Sequence, residues 1–209
     1  MTDFSTVRNL IFDLGGVIIN IDPQLTYQAM AKLAGREADQ LLAQLREHRL
    51  VERLESGQIS NEEFLAEARQ TLALQGSDED LRQAWNELLL DLPAERIDRL
   101  RELGQHYRVF LLSNTNAFHI PTVERILHEA THVQTLDELF EKAYYSYQVG
   151  YIKPDAAIFQ FVLEDSQLNA EETVFIDDSF ANVQAAEQLG IRTIHVQPPQ
   201  TMLDYLKDA

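Results

Sequence analysis

Cysteine is absent from the 209 residues. Disulfide bonds are therefore excluded, and cysteine usage is silent on the redox compartment. Basic residues are scarce: 17 Lys and Arg stand against 34 Asp and Glu, a net charge of −17. Nucleic acid needs a basic face to displace its counterions, and an anionic membrane surface needs the same, so neither is expected as a partner. Long apolar runs are also missing. The chain starts with a polar stretch carrying Asp3, and the apolar run after it is short and ends at Asp13. That pattern fits neither a signal peptide nor a membrane span, and a cytoplasmic protein is the expectation. There is no internal repeat and no low-complexity segment.

What is present fits an ordinary globular chain. A hydrophobic content of 45% over 209 residues is enough for one large domain, or for a core with a smaller insert. The acidic surplus favours solubility, and it adds a local requirement. An anionic substrate needs a positive site close by to offset the field of the whole molecule.

Periodicity divides the chain. Residues 7–14 read as a short buried parallel strand, apolar and bounded by glycine. Residues 24–90 are dominated by Leu, Ala, Glu, Gln and Arg, all strong helix formers. Gly35, Gly57 and Gly76 break that run, and Ser60 with Glu63 has the spacing of a capping box. About four helices are expected there. After Leu92-Pro93 strands and helices alternate. A helix over 94–103 ends at Gly104, and the strand Val109-Phe110-Leu111-Leu112 stops at Ser113-Asn114-Thr115. A helix near 121–128, a weaker strand over 144–148 and a helix opened by Pro154 or Asp155 follow. The strand Thr173-Val174-Phe175-Ile176, a helix over 180–189 and a last strand over 192–196 complete the series. This alternation predicts an α/β fold: a Rossmann-like parallel sheet from residues 1–18 and 93–209, with a helical bundle inserted over 19–92.

Four strand ends then carry polar groups to one side of the sheet, where open α/β folds place their chemistry. They are Asp13 before Leu14-Gly15-Gly16, Ser113-Asn114, Lys153 after the weak strand, and Asp177-Asp178. Taken singly, each has an ordinary structural explanation: a turn aspartate, a helix N-cap, a solvated lysine, another cap. Their order and common position point to chemistry. Three gathered carboxylates call for a hard cation such as Mg²⁺. A carboxylate that attacks phosphorus forms an aspartyl phosphate, with a cation offsetting repulsion from the phosphate oxygens. Ser113, Asn114 and Lys153 supply a hydroxyl, an amide and an ammonium for the phosphate, and the Leu14-Gly15 turn adds N–H groups.

The motifs Phe12-Asp13-Leu14-Gly15-Gly16-Val17, Leu112-Ser113-Asn114-Thr115, Lys153-Pro154 and Phe175-Ile176-Asp177-Asp178-Ser179 with Asn182-Val183 resemble those of the haloacid dehalogenase superfamily. The likeness spans the whole chain and is to the phosphatase branch with a helical cap. Asp-Leu-Gly and Ser-Asn-Thr-Asn are similar to the α-D-glucose-1-phosphate phosphatase type. The resemblance implies that Asp13 is nucleophile and Mg²⁺ ligand, joined on the metal by Asp178 and the Gly15 backbone carbonyl. Asp177 is accessory. Lys153 holds phosphate and nucleophile together, and Ser113 and Asn114 bind phosphate oxygens. A small phosphorylated metabolite, with a sugar phosphate first in line, is the implied substrate, handled by a monomer or dimer.

One position departs from the family. Most of its phosphatases carry a second aspartate two residues after the nucleophile, which protonates the leaving group; here it is Gly15. General-acid help is worth about 10²–10⁴-fold. His119, Asp22 or a metal-polarised water are candidate replacements, and an anomeric leaving group would need less help. Trp85, Glu55 and His48 are candidates to face the site from the helical insert, none of them assigned to substrate. Two other readings remain at this level: a haloacid dehalogenase, which attacks carbon without metal, and a non-catalytic binding protein of the same fold.

Overall fold

Five short apolar segments pair into one all-parallel sheet, in the order β3-β2-β1-β4-β5. The computed structural model describes residues 4–209; residues 1–3, with Asp3, lie outside them. Strand β1 (Asn9–Phe12) comes first, and five helices follow it: α1 (Pro23–Ala34), α2 (Ala38–Glu47), α3 (Leu50–Glu55), α4 (Asn61–Leu72) and α5 (Asp78–Asn86). The chain then alternates through α6 (Ala94–Leu103), β2 (Arg108–Ser113), α7 (His119–Thr131), β3 (Lys142–Tyr145), α8 (Ser146–Val149) and α9 (Ala156–Asp165). It finishes with β4 (Thr173–Asp177), α10 (Phe180–Glu187), β5 (Arg192–His195) and α11 (Met202–Tyr205).

The strands read as unbroken apolar runs because both faces of the sheet are covered. Leu10, Phe12, Leu111 and Ile176 pack on one face with Ile97 and Leu100 of α6 and Val123 and Leu127 of α7. Ile11, Phe110, Leu112 and Phe175 pack on the other face with Ile158, Phe159 and Val162 of α9 and Ala186 of α10. The alternation along each strand is the period of two that sends successive side chains to opposite faces. Each fully buried Leu or Phe contributes about 1.5–3 kcal/mol.

The helices between β1 and α6 bury a separate cluster, in which Leu41, Leu54, Phe64 and Leu81 are 2% exposed or less. Phe118, from the loop before α7, inserts into it with its ring 6.2 Å from that of Phe64. Two linkers tie this cluster to the sheet. Asn20 N donates to Asp91 O and Asp22 N to Leu88 O, at 3.0 and 2.9 Å.

Three expectations need correction. The helical stretch contains five helices, not four. The missed break lies at Arg49, a left-handed residue (φ 51°) whose side chain is held by Glu52; no glycine or proline marks it. The weak strand ends at Tyr145, and Ser146–Val149 coil into a helical turn closed by Gly150. The buried Ser146 hydroxyl accepts from Thr115 N, a bond that pulls this segment out of the ladder. Pro154 lies ahead of α9, and Asp155 caps that helix by accepting from Ala157 N. The Ser60–Glu63 capping box is present. Among the described residues no helix is long and apolar enough to cross a membrane.

Gly57 sets how closely the helical cluster approaches the sheet. A Cβ placed on it would stand 2.3 Å from the carbonyl oxygen of Tyr147 in α8, and its φ is 68°. Both the contact and the left-handed backbone exclude a side chain. Gly57→Ala is expected to lower the unfolding free energy by about 1–3 kcal/mol, read from denaturant unfolding. A loss below the error of that measurement would show that the two segments separate freely at this point.

Candidate active site

The register determines which groups meet. One residue beyond the paired Phe12, Leu111 and Ile176 stand Asp13, Leu112 and Asp177. Lys153 Nζ reaches all three, donating to Asp13 Oδ1 at 2.7 Å, Asp177 Oδ2 at 2.7 Å and Leu112 O at 2.8 Å. Its side chain is 1% exposed, so all three ammonium protons are used inside the protein. Lys153 is itself fixed by Asn114, whose amide donates to Lys153 O and accepts from Lys153 N, both at 2.8 Å. The Asn114 side chain, expected to serve phosphate, thus has a second task. Its carbonyl oxygen and one amide proton position Lys153.

Asp177 is fully buried and fully engaged. Oδ1 accepts from Ser179 N at 2.8 Å, and Asn182 Nδ2 lies 3.0 and 3.1 Å from its two oxygens. Asp13 Oδ2 accepts no hydrogen bond among the described residues, and neither does the Gly15 carbonyl, since Leu14 O and Ile19 O take the backbone bonds of that turn. Asp178 is exposed and lies against the turn after β1. A Cβ on Gly16 would fall 2.3 Å from its Oδ2, so only glycine lets the two strand-end loops approach this closely.

Carboxylate oxygens of Asp13, Asp177 and Asp178 lie within 4.8 Å of one another. Three carboxylates thus face the single ammonium of Lys153. Burial above all raises the Asp13 carboxyl, to about 7; Lys153 pulls it down, and Asp177 and Asp178 push it up. Asp178, though exposed as a residue, has its carboxyl raised as well, by partial desolvation against the turn after β1 and then by Asp177. With all three ionised, two negative charges are left over, which one divalent cation would balance. An all-oxygen set without thiolate or imidazole suits a hard ion such as Mg²⁺.

A cavity of about 220 Å³ adjoins this cluster. Gly15, Ser113 and Asn114 form its floor, and Tyr27, Val51, Glu55 and Trp85 of the helical segment close it from above. Burial raises the Glu55 carboxyl to about 7; Lys153 opposes this, and Asp13 and Glu52 reinforce it. His119 also lines the cavity, stacked on Trp85 at 5.8 Å with Nδ1 2.7 Å from Asn86 Oδ1, and burial lowers it to about 4. Asp22 does not line it, and its Oδ1 caps α1 through Gln24 N. His48 also lies outside its wall. Sequence reasoning singled out neither Asn182 nor Asn114 as positioning groups. The five-residue step from Asp177 to Asn182, across one turn of α10, was the available signal.

Known proteins share this fold. The model of the haloacid dehalogenase-like hydrolases matches residues 7–190. D-ribitol-5-phosphate phosphatase from Bacteroides thetaiotaomicron is 32% identical over 187 residues, 90% of each chain. A solved HAD family enzyme from the same organism, in complex with magnesium and inorganic phosphate, superposes with a TM-score of 0.85 at 33% identity, covering 96% of this chain and 99% of that one. A 2-haloacid dehalogenase from Pseudomonas syringae shares the fold, with a TM-score of 0.60 at 20% identity over 92% and 87% of the two chains. The chain belongs to the haloacid dehalogenase-like hydrolases, in their phosphatase branch.

Raised carboxyls carry a pH signature. Asp13 rises from 3.8 and Glu55 from 4.5, both to about 7, so the folded protein holds protons that the unfolded chain releases in between. Stability of the cation-free protein should therefore fall as the pH climbs from about 4.5 through about 7. The groups facing Glu55 are Lys153, Asp13, Glu52 and Tyr27. Glu55→Gln should flatten part of the fall, read as melting temperature against pH in a chelator. A wild-type profile that rises across this window would contradict the buried, uncompensated charge.

Proposed function

We propose that this haloacid dehalogenase-like phosphatase hydrolyses a small sugar or sugar-alcohol phosphate through an aspartyl phosphate on Asp13, with Mg²⁺ as cofactor. The observation that carries the reading is the buried Lys153 ammonium on Asp13 Oδ1, which leaves Oδ2 of the same carboxylate without a partner. Lys153 holds the nucleophile by one oxygen and presents the other. Asp13, Asp178 and the Gly15 carbonyl would hold the Mg²⁺, with Asp177 accessory because its oxygens already serve Lys153, Ser179 and Asn182. When bound, the ion supplies positive charge to the phosphoryl oxygens. Ser113, on the cavity floor, presents its hydroxyl to the phosphate. Asn114 contributes through its main chain and its remaining amide proton.

We read residues 19–92 as a cap over a core of 1–18 and 93–209, because the helical segment buries its own cluster and forms the roof of the cavity. A cavity of about 220 Å³ suits a small metabolite. The relative named for D-ribitol 5-phosphate supports a polyol or sugar phosphate, whose leaving group is an ordinary primary alcohol. The leaving group expected from the anomeric-phosphate likeness would be a better one. The acidic triad favours phosphorus over carbon as the centre attacked, since a dehalogenase needs no cation.

Phosphate release from D-ribitol 5-phosphate, sugar phosphates and p-nitrophenyl phosphate tests the reading. Turnover should depend on Mg²⁺, stop with chelator and fall to background in Asp13→Asn. Undiminished release by Asp13→Asn, or release unaffected by chelator, would overturn it.

A further inference from the structure

We propose that Glu55, at the C-terminal end of α3, is the acid that protonates the leaving alcohol in the first displacement and the base that activates water in the second. This rests on the phosphatase reading of Asp13. Breaking a phosphate ester of a primary alcohol puts charge on a poor leaving oxygen, and a positioned proton donor is commonly worth about 10²–10⁴-fold. The loop after β1 offers none. Gly15 has no side chain, and a Cβ there would point at Ile21 Cδ1, 2.8 Å away, into apolar surroundings.

Among the described residues lining the cavity, Glu55 is the one carboxylic acid. It lines the same cavity as Gly15 and Ser113, from the helical segment and within electrostatic reach of Asp13 and Lys153, so an ester seated between Ser113 and Asp13 would bring its alcohol into the cavity that Glu55 lines. No hydrogen bond within the protein claims its carboxyl among the described residues, although Ser56 beside it and Leu54 before it are buried. Its position is fixed from behind. Gly57, two residues on, lies against the Tyr147 carbonyl of the core, and Leu54 packs in the helical cluster. Burial raises the Glu55 carboxyl to about 7, against the pull of Lys153 and with the push of Asp13 and Glu52.

The other candidates are otherwise employed. His119 donates from Nδ1 to Asn86 Oδ1, and burial strips its second proton, so Nε2 has none to give. All three protons of Lys153 are taken. Asp22 caps α1.

The steps balance. Asp13 Oδ2 bonds to phosphorus and the ester P–O bond breaks. Its electron pair stays on the ester oxygen, which takes the Glu55 proton and leaves as neutral alcohol. Glu55, now a carboxylate, then accepts a proton from water as the water oxygen attacks phosphorus. The bond from phosphorus to Asp13 breaks, inorganic phosphate leaves, and Asp13 and Glu55 return to their starting states.

The test compares kcat/KM for D-ribitol 5-phosphate and p-nitrophenyl phosphate, with Mg²⁺ present, in wild type, Glu55→Gln and Glu55→Met. p-Nitrophenolate leaves without a proton, so it separates protonation from the rest of the site. Both variants should lose about 10²-fold or more on the alkyl ester and far less on the aryl ester, a ratio of losses of at least about tenfold. Equal losses on the two esters in both variants, with unchanged melting temperatures, would overturn the assignment, as would no loss on the alkyl ester. Wild type that hydrolyses the aryl ester but no alkyl phosphate would also overturn it, while leaving the nucleophile standing. Wild type that releases phosphate from neither would take down the phosphatase reading itself and the acid role with it.

Discussion

The Lys153 ammonium, buried among Asp13, Asp177 and the Leu112 carbonyl, holds three parallel strands to one geometry at their chemical ends. Each ion taken from water costs several kcal/mol even after relaxation, so such a cluster persists only where its charges are paired and most of its donors and acceptors are met. Here the requirement is answered outward in layers. Asn114 grips the Lys153 backbone at both its N–H and its carbonyl. Ser179 and Asn182 complete Asp177. The short all-parallel strands, covered on both faces, supply the rigid frame that makes these distances reproducible. Removing one partner from a buried pair of this kind typically costs about 3–5 kcal/mol, so stability and chemistry share the same bonds.

That arrangement also reconciles the acidic chain with an anionic substrate. A net charge of −17 repels phosphate at long range. At the strand ends the carboxylates outnumber the one ammonium, which makes the site a cation trap before it is a phosphate site. The acidity that argues against a nucleic-acid partner is, locally, of the kind that suits a divalent ion. Gly16 matters for the same reason. A Cβ there would stand 2.3 Å from Asp178 Oδ2, so a side chain at this left-handed position would force the Asp178 carboxylate to shift.

The sheet and the position of the polar groups at its strand ends were legible because they rest on short-range signals. Apolar runs of four to six residues ending in Asp13, Ser113 and Asp177 fall where β1, β2 and β4 end. Glycine and proline punctuation marked most helix boundaries, and the Ser60 capping box was readable from spacing alone. What escaped was set by contacts distant in sequence. Arg49 breaks α2 from α3 with a left-handed backbone that no residue type announces. Ser146 leaves the ladder because its hydroxyl bonds Thr115, 31 residues away. Asn114 reads as a phosphate ligand until Lys153 O and N are seen on its amide. Glu55 and Trp85 stood beside His48 as candidates to face the site, and only the fold separates them, since α3 ends at the cavity and His48 lies outside its wall.

Placing the proton donor on the helical segment ties chemistry to closure. A donor two residues after the nucleophile would sit in the loop of β1 and be present whether or not the segment were seated. Glu55 is in place only while Gly57 rests on the Tyr147 carbonyl and Phe118 stays in the helical cluster. Burial is the largest cause of its raised carboxyl, and residues of the helical segment and of the core both line the cavity that provides it. An ester too large for the cavity would hold α3 off the floor, admit water and let Glu55 ionise, so that cleavage would lose its acid along with its dry surroundings. Selection of small leaving groups then needs no dedicated contact. It follows from a carboxyl group that is an acid only when the roof is down.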